Sequence, residues 1–179
     1  MPEKKLEGDA TLGFLIKEGH VWLGIKTRNI GKGLRNGYGG GMDPGDKDLE
    51  ECLKREVKQE SGVNISTTGL EKVAIINFHN TTTSGETFTT KVHVFLIKDW
   101  TGEPQATEEM IDPKEFEIKD LPLGQMMVAD KEWLPLVFAG KKIIAEYHYG
   151  PFQKEFTKEG KVTIVATLPG ENSKEFKIH

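Results

Sequence analysis

Residues 39–63 read GGGMDPGDKDLEECLKREVKQESGV, and this stretch carries more about fold and chemistry than any other part of the chain. A glycine-rich turn leads into a segment bounded by helix signals. Asp48 is a good N-cap residue, and Glu51 stands three positions on, the spacing of a capping box. Gly62 supplies the stop. The spacing therefore predicts a helix over residues 49–61. At about 100° per residue, Leu49, Leu53 and Val57 share one stripe, with Cys52 at its edge. Glu56 and Glu60 fall inside the same stripe. Two carboxylates one turn apart on an apolar face are costly unless a positive charge meets them. Carboxylate oxygens suit Mg2+ and Mn2+, so a divalent cation is one answer. The other is that both side chains lie at the edge of the stripe and reach solvent.

The rest of the chain sets bounds on what this helix serves. At 179 residues the length predicts one domain spanning 1–179, with a core over about 11–166 and a short C-terminal tail. A formal net charge of −4 argues against a nucleic-acid polymer as the main partner. A small phosphorylated substrate that arrives with its metal is compatible with it. Cys52 is the single cysteine, so it makes no internal disulfide and reads as a packed core thiol. The start, MPEKKLEGDA, is charged and lacks an apolar signal segment, and no run approaches transmembrane length. The expectation is a cytoplasmic protein without membrane contact, and a monomer.

Outward from the helix, residues 11–16 and 20–26 read as a strand pair joined by Lys17-Glu18-Gly19. Residues 31–41 are a glycine-rich loop. Residues 72–79 and 87–97 form a second pair across the polar run 80–86. In the later strand Val92, Val94 and Leu96 alternate with His93, Phe95 and Ile97, the pattern of a strand buried on both faces. Residues 116–118 are a short strand candidate. Residues 131–139 read as a second helix ended by Gly140, in which Pro135 should impose a kink or lie in the first turn. Residues 143–149 and 161–166 close the chain as a third pair. His79, His93 and His148 lack metal-ligand spacing and read as strand residues, while Trp100 and Tyr149 read as packing at sheet ends. Strands with two interspersed helices make an α+β protein.

Glycine, a short loop, an acid, then REVKQESGV resembles the Nudix box: glycine, five residues, Glu, seven residues, Arg-Glu-aliphatic-x-Glu-Glu-x-Gly-aliphatic. Gly40 is the opening glycine and Asp46 the first acid, and Arg55, Glu56, Val57, Glu60, Gly62 and Val63 match the second half. Two departures stand out: the interval from Asp46 to Arg55 is one residue longer, and Gln59 replaces the first Glu of the Glu-Glu pair. The likeness extends over about residues 11–164 and is greatest to the oxidised-purine nucleoside triphosphatase branch of the MutT/Nudix family. It is carried there by GKGLRNGYGGG (31–41), KVHVF (91–95), EEMIDPKEFEIKDLP (108–122) and MMVADKEWLPLVF (126–138).

The resemblance implies an α-β-α sandwich around a mixed β-sheet and an Mg2+-dependent nucleoside triphosphate pyrophosphatase, with Mn2+ as a substitute. Its substrates would include oxidised purines such as 8-oxo-dGTP, and its products a nucleoside monophosphate and pyrophosphate. The Gly39 carbonyl and Glu56, Gln59, Glu60 and Glu109 would hold metal. Glu56, Glu60 and Glu109 would be the catalytic carboxylates, with Glu56 or Glu109 as the base. Thr11, Lys26, Asn36, Phe78, Met127 and Asp130 would line the nucleotide pocket. Lys26 also reads as a solvated strand end, Asn36 as a turn former and Asp130 as a helix N-cap. Arg55 reads as structural, paired with a box carboxylate. In this chain Met127 replaces the branch's base-stacking tryptophan, Ala129 replaces one of two adjacent aspartates, and Leu34 and Arg35 stand where an arginine and a tryptophan are usual. The alternatives are a Nudix hydrolase of ADP-ribose or a dinucleoside polyphosphate, and a catalytically silent nucleotide-binding module.

Overall fold

The computed structural model describes residues 5–169; residues 1–4 and most of the tail after Ala166 lie outside the described residues. In chain order the strands and helices are β1 (Gly8–Lys17), β2 (His20–Lys26), β3 (Arg35–Asn36), α1 (Leu49–Ser61), β4 (Asn64–Ile65), β5 (Leu70–Thr81), β6 (Thr87–Ile97), β7 (Trp100–Thr101), β8 (Met110–Glu117), α2 (Asp130–Phe138), β9 (Lys142–Tyr149) and β10 (Phe156–Val165).

Eight strands make one sheet in the order β10-β9-β5-β6-β1-β2-β3, with β8 on β2, and β4 and β7 pair separately. The sheet is mixed: β1 runs parallel to β6 and β5 parallel to β9, while the hairpin pairs are antiparallel. The β1–β2 hairpin closes through Glu18 and Gly19, both at positive φ (51° and 78°), the twist-matched geometry of a two-residue turn. Side chains alternate across the sheet. Phe14, Val94 and Leu96 enter one core with Trp133, Leu134 and Val137 of α2. Leu15, Phe95 and Ile97 enter the other with Leu49, Leu53 and Val57 of α1. The expected burial of the 92–97 segment on both faces follows, since β6 lies between β5 and β1 with a helical layer on each side. The result is an α-β-α sandwich.

Helix α1 has the expected bounds, with Asp48 accepting from the Glu51 N–H at 2.9 Å and Gly62 left-handed at φ 78°. Three expectations need correction. The 116–118 strand is part of the longer β8, and Ile118 already begins a 3-10 turn. Its outer positions are mostly exposed and it contains Pro113, so periodicity had little apolar signal to use. In the second strand pair β6 has the expected bounds, but β5 is longer than the 72–79 read, leaving a tighter connection than 80–86. Pro135 lies in the interior of α2 rather than its first turn. There it removes one bond to the carbonyl of exposed Lys131, which water can satisfy. The histidines lie on strands: His93 pairs with Asp9 at 2.7 Å, and His79 stacks on His148 at 4.4 Å. Trp100 lies on β7 and donates to the Ile16 carbonyl at 3.2 Å, and Tyr149 is fully buried at the end of β9.

Candidate active site

β1 and β2 pair only near their turn, at Leu15–Trp22, Ile16–Val21 and Lys17–His20. Beyond it they part, and the 37–41 segment fills the gap. It bonds to β1 through Gly13 N–H to the Tyr38 carbonyl (2.6 Å), Tyr38 N–H to the Gly13 carbonyl (2.9 Å) and Thr11 N–H to the Gly40 carbonyl (2.8 Å). Approach this close needs glycine. A Cβ on Gly39 would stand 2.0 Å from the Thr11 carbonyl oxygen, and one on Gly40 2.5 Å from the Glu56 carboxyl carbon. The turn that reads as a loop in sequence is thus the floor beneath the α1 carboxylates.

Glu60 is 7% exposed and accepts from the Gly39 N–H at 2.7 Å. Burial pushes its carboxyl up to about 8, with Glu56 and Glu109 adding to the rise while the Gly39 N–H and Lys26 oppose it. Glu56 is half-buried and also raised, by burial above all, with Glu109 and Asp43 contributing and Arg55 opposing. The solvent-edge reading therefore fails for Glu60, which is enclosed, and only partly describes Glu56. Arg55 is a latch. It grips Asp46 through two bonds (3.0 and 2.9 Å), reaches the Gly41 carbonyl at 3.1 Å and pairs with Glu56 at 2.8 Å. The guanidinium holds the Asp46 carboxyl below the usual carboxylate range. Asp46 is outside the cavity lining, so the acid of the lengthened loop serves Arg55. Cys52 is buried, with a thiol pushed up to about 11 by burial, and is packed core as expected.

Every residue expected to hold metal or nucleotide lines one cavity of about 310 Å³. Glu56, Gln59, Glu60 and Glu109 are there with Gly39, and so are Thr11, Lys26, Asn36, Phe78, Met127 and Asp130. Their side chains are committed to different degrees. The Thr11 hydroxyl donates to the Gly40 carbonyl at 3.4 Å and lies 3.5 Å from the Cys52 sulfur, so it ties β1 to the glycine turn. Asn36 accepts from the Gly37 N–H at 2.8 Å, as the turn reading anticipated, which leaves its amide nitrogen as the donor end. Gln59 is exposed, its amide oxygen 3.4 Å from Arg55. Phe78 stacks on Tyr147 and Tyr149, each at 6.0 Å.

Asp130 departs from the N-cap expectation. The cap of α2 is Ala129, and Asp130 is the first helical residue, turned back to accept from the Met127 N–H at 3.2 Å. It is 5% exposed, and burial pushes its carboxyl up to about 7 against the pull of Met127 and Trp133. A carboxyl near neutrality can donate or accept, which suits a base edge better than a cap.

Sequence reasoning missed Arg28, Ile30 and Gln153, which also line the cavity. Arg28 pairs with Glu109 at 2.9 Å, and Thr27 fastens the same loop to the Glu108 carbonyl at 2.5 Å. Nothing in local spacing connects residues so distant in the chain, although a second cation close to Lys26 hinted at a basic rim.

Among the described residues no three Asp, Glu, His or Cys groups are already drawn together as a metal cluster. Glu56 is turned onto Arg55 and Glu109 onto Arg28. The donor chemistry still fits a hard divalent cation. Glu56 and Glu109 push Glu60 toward the protonated form and Glu109 does the same to Glu56, and a doubly charged ion relieves that repulsion. The Arg28–Glu109 contact is no obstacle, because an ion pair this exposed is worth little and exchanges readily.

The NUDIX domain matches residues 8–137 of the chain. An "Oxidized purine nucleoside triphosphate hydrolase" of Danio rerio is 34% identical over 139 residues, covering 78% of this chain and 85% of the relative. A protein of the same name from Mus musculus is 32% identical over the same shares of both chains. Among solved structures, a MutT protein from Bacillus halodurans superposes with a TM-score of 0.68 over 86% of this chain and 96% of its own. At 20% identity it speaks to the fold alone.

Proposed function

The chain belongs to the Nudix family and is a hydrolase of phosphorus-containing acid anhydrides, and from that premise we propose an Mg2+-dependent pyrophosphatase of purine nucleoside triphosphates. Oxidised purines such as 8-oxo-dGTP fall within its proposed range, with a nucleoside monophosphate and pyrophosphate as products. The observation that carries this is the shared cavity: the acidic groups Glu56, Glu60 and Glu109 open into the same space as Asn36, Phe78, Met127 and Asp130. One end suits a cation and phosphates, and the other suits a flat apolar ring with a polar edge.

In this reading Glu56, Glu60, Glu109, the Gln59 amide oxygen and the Gly39 carbonyl hold the metal. When bound, the ion neutralises the polyphosphate and polarises the attacked phosphorus. The chain's own groups do the rest. The Gly39 N–H and the apolar stripe of α1 hold Glu60 in place. Lys26, close enough to lower the Glu60 carboxyl, supplies positive charge for phosphate oxygens. Glu56 or Glu109 receives the proton from the attacking water. Phe78 and Met127 wall the ring, while Asn36 and Asp130 meet its edge. The thioether of Met127 gives a softer contact than an indole, so shape demands on the base are relaxed.

The catalytic unit is one domain over about residues 11–166, acting as a cytoplasmic monomer on free nucleotides. No helix among the described residues is long and apolar enough to cross a membrane. The test is a panel of deoxynucleoside triphosphates, 8-oxo-dGTP, ADP-ribose and dinucleoside polyphosphates, each with Mg2+, Mn2+ or EDTA, read by pyrophosphate and phosphate release. Pyrophosphate from purine triphosphates, abolished by EDTA, is the expected result. Turnover confined to ADP-ribose or dinucleoside polyphosphates, or none at all, refutes the proposal.

A further inference from the structure

Gln153 stands apart from the residues so far given a role. It lies in the 3-10 turn Pro151–Gln153 that follows β9, and its side chain lines the cavity. Two adjacent non-glycine residues there, Phe152 and Gln153, are left-handed at φ 60° and 55°. Side chains other than glycine rarely adopt this conformation, and strain of this kind persists where surrounding structure holds it for a purpose.

The surroundings hold it through the side chain. The Gln153 amide nitrogen donates to the Asn80 side-chain oxygen at 2.8 Å. Asn80 is 2% exposed and is itself oriented, donating to the Phe78 carbonyl at 3.2 Å and to the Thr90 hydroxyl at 3.5 Å. Thr90 in turn donates to the Leu6 carbonyl. A buried polar chain of this kind fixes which end of each amide faces which way. One N–H of the Gln153 amide is taken by Asn80, which orients the group and leaves its oxygen, an acceptor, for a ligand.

Its position in the sheet says which part of a ligand it meets. Gln153 follows β9, whereas Glu109 immediately precedes β8 on β2, and β5, β6 and β1 lie between β9 and β2. Through Asn80, Gln153 is tied to the carbonyl of Phe78 on β5, the strand next to β9. A nucleotide with its phosphates at the carboxylates and its ring on Phe78 therefore brings its base to Gln153. An acceptor at that end requires a donor on the base, and the donor that projects furthest from a purine ring is an exocyclic amino group.

We propose that Gln153 is a specificity-determining residue whose amide oxygen, held by Asn80, accepts a hydrogen bond from the exocyclic amino group of a purine. The inference rests on reading the cavity as a nucleoside triphosphate site. Its test uses dGTP and dITP, which differ only in that amino group, and the variant Gln153→Gly. Glycine suits the left-handed backbone, so the variant relieves strain while removing the amide. The wild type should favour dGTP over dITP in kcat/KM by roughly tenfold, the size of one hydrogen bond to a buried partner. Gln153→Gly should bring that ratio close to parity, with the relief of backbone strain set against the lost Asn80 bond in Tm. A ratio that survives in Gln153→Gly, as it would if dGTP and dITP lost turnover equally, overturns the inference. A wild type that hydrolyses both substrates equally well overturns it too and leaves the pyrophosphatase reading intact. Failure of the wild type to hydrolyse either triphosphate removes that reading, and this inference with it.

Discussion

Replacing Glu60 by Gln should stabilise the metal-free protein while removing its response to Mg2+. Glu60 is 7% exposed, and its carboxyl is raised from 4.5 to about 8 by burial, with Glu56 and Glu109 contributing. A carboxyl with a folded pKa above its unfolded one binds its proton more tightly when folded. Stability is then fully present below the unfolded value and is lost as pH rises toward the folded value. For wild type in EDTA the loss therefore runs from about pH 4.5 to about 8. At pH 7 it amounts to about 3 kcal/mol, at roughly 1.4 kcal/mol per pKa unit. Gln is isosteric, keeps an oxygen for the Gly39 N–H and carries no charge to desolvate. Glu60→Gln should thus exceed wild type in EDTA by about 3 kcal/mol at pH 7, roughly 6–12 °C in Tm for a chain of this length. The advantage should vanish near pH 5. Mg2+ should raise the wild-type Tm, increasingly so at higher pH because binding displaces a proton, and should leave the variant unmoved. Thermal unfolding from pH 5 to 8.5, with EDTA or Mg2+, reads all of this. A variant with the same pH slope and the same Mg2+ increment as wild type would refute both the burial argument and the metal assignment.

Further outcomes follow from the same geometry. Glu56→Gln should cut turnover about a hundredfold or more with the fold intact, and near-normal rates at saturating Mg2+ would remove this carboxylate from the chemistry. Gln59→Glu should lower the Mg2+ concentration for half-maximal rate. An unchanged requirement would mean that the new carboxylate stays on Arg55, which already lies 3.4 Å from the Gln59 oxygen. Asn36→Ala and Asp130→Ala should each lower kcat/KM for 8-oxo-dGTP by about tenfold and affect pyrimidine triphosphates far less, whereas equal losses on every nucleotide would indicate disturbed phosphate positioning. Arg55→Ala should cost about 3 kcal/mol in urea unfolding, because the Asp46 side chain, only 4% exposed, loses its partner; an unaltered midpoint would show the latch to be unimportant for stability.

The sequence alone determined α1 to the residue, because every determinant of that helix is local. Asp48 caps a turn three residues away, Gly62 ends it, and an apolar repeat at helical spacing decides its inward face. Two carboxylates on that face were legible as a functional oddity for the same reason, and the box pattern around them pointed to the family. The β1–β2 hairpin was equally local, its register set by a two-residue turn. Where the signal was weak the boundaries slipped. β8 has few buried positions, so only its Phe116 end stood out, and nothing around Asp130 distinguishes a cap from a first helical residue whose carboxylate turns back.

Tertiary structure decided what those local elements meet. Glycines at 39 and 40 read as part of a turn, and only the packed structure shows that they let the chain pass against Thr11 and beneath Glu56, a close approach made by parts distant in sequence. The proton affinity of Glu60 depends on enclosure and on Glu109, which arrives from beyond the β5–β6 hairpin. Asp46 looked like a site acid by its place in the pattern, and only its two bonds to Arg55 assign it to holding the loop. Gln153 had no sequence signal at all, because its place in the cavity depends on Asn80 from another strand and on a backbone conformation that no spacing rule anticipates. Local hydrogen-bonding and periodicity rules act over a few residues and are written into the chain, whereas burial, charge coupling and the shape of a cavity exist only after distant segments have packed.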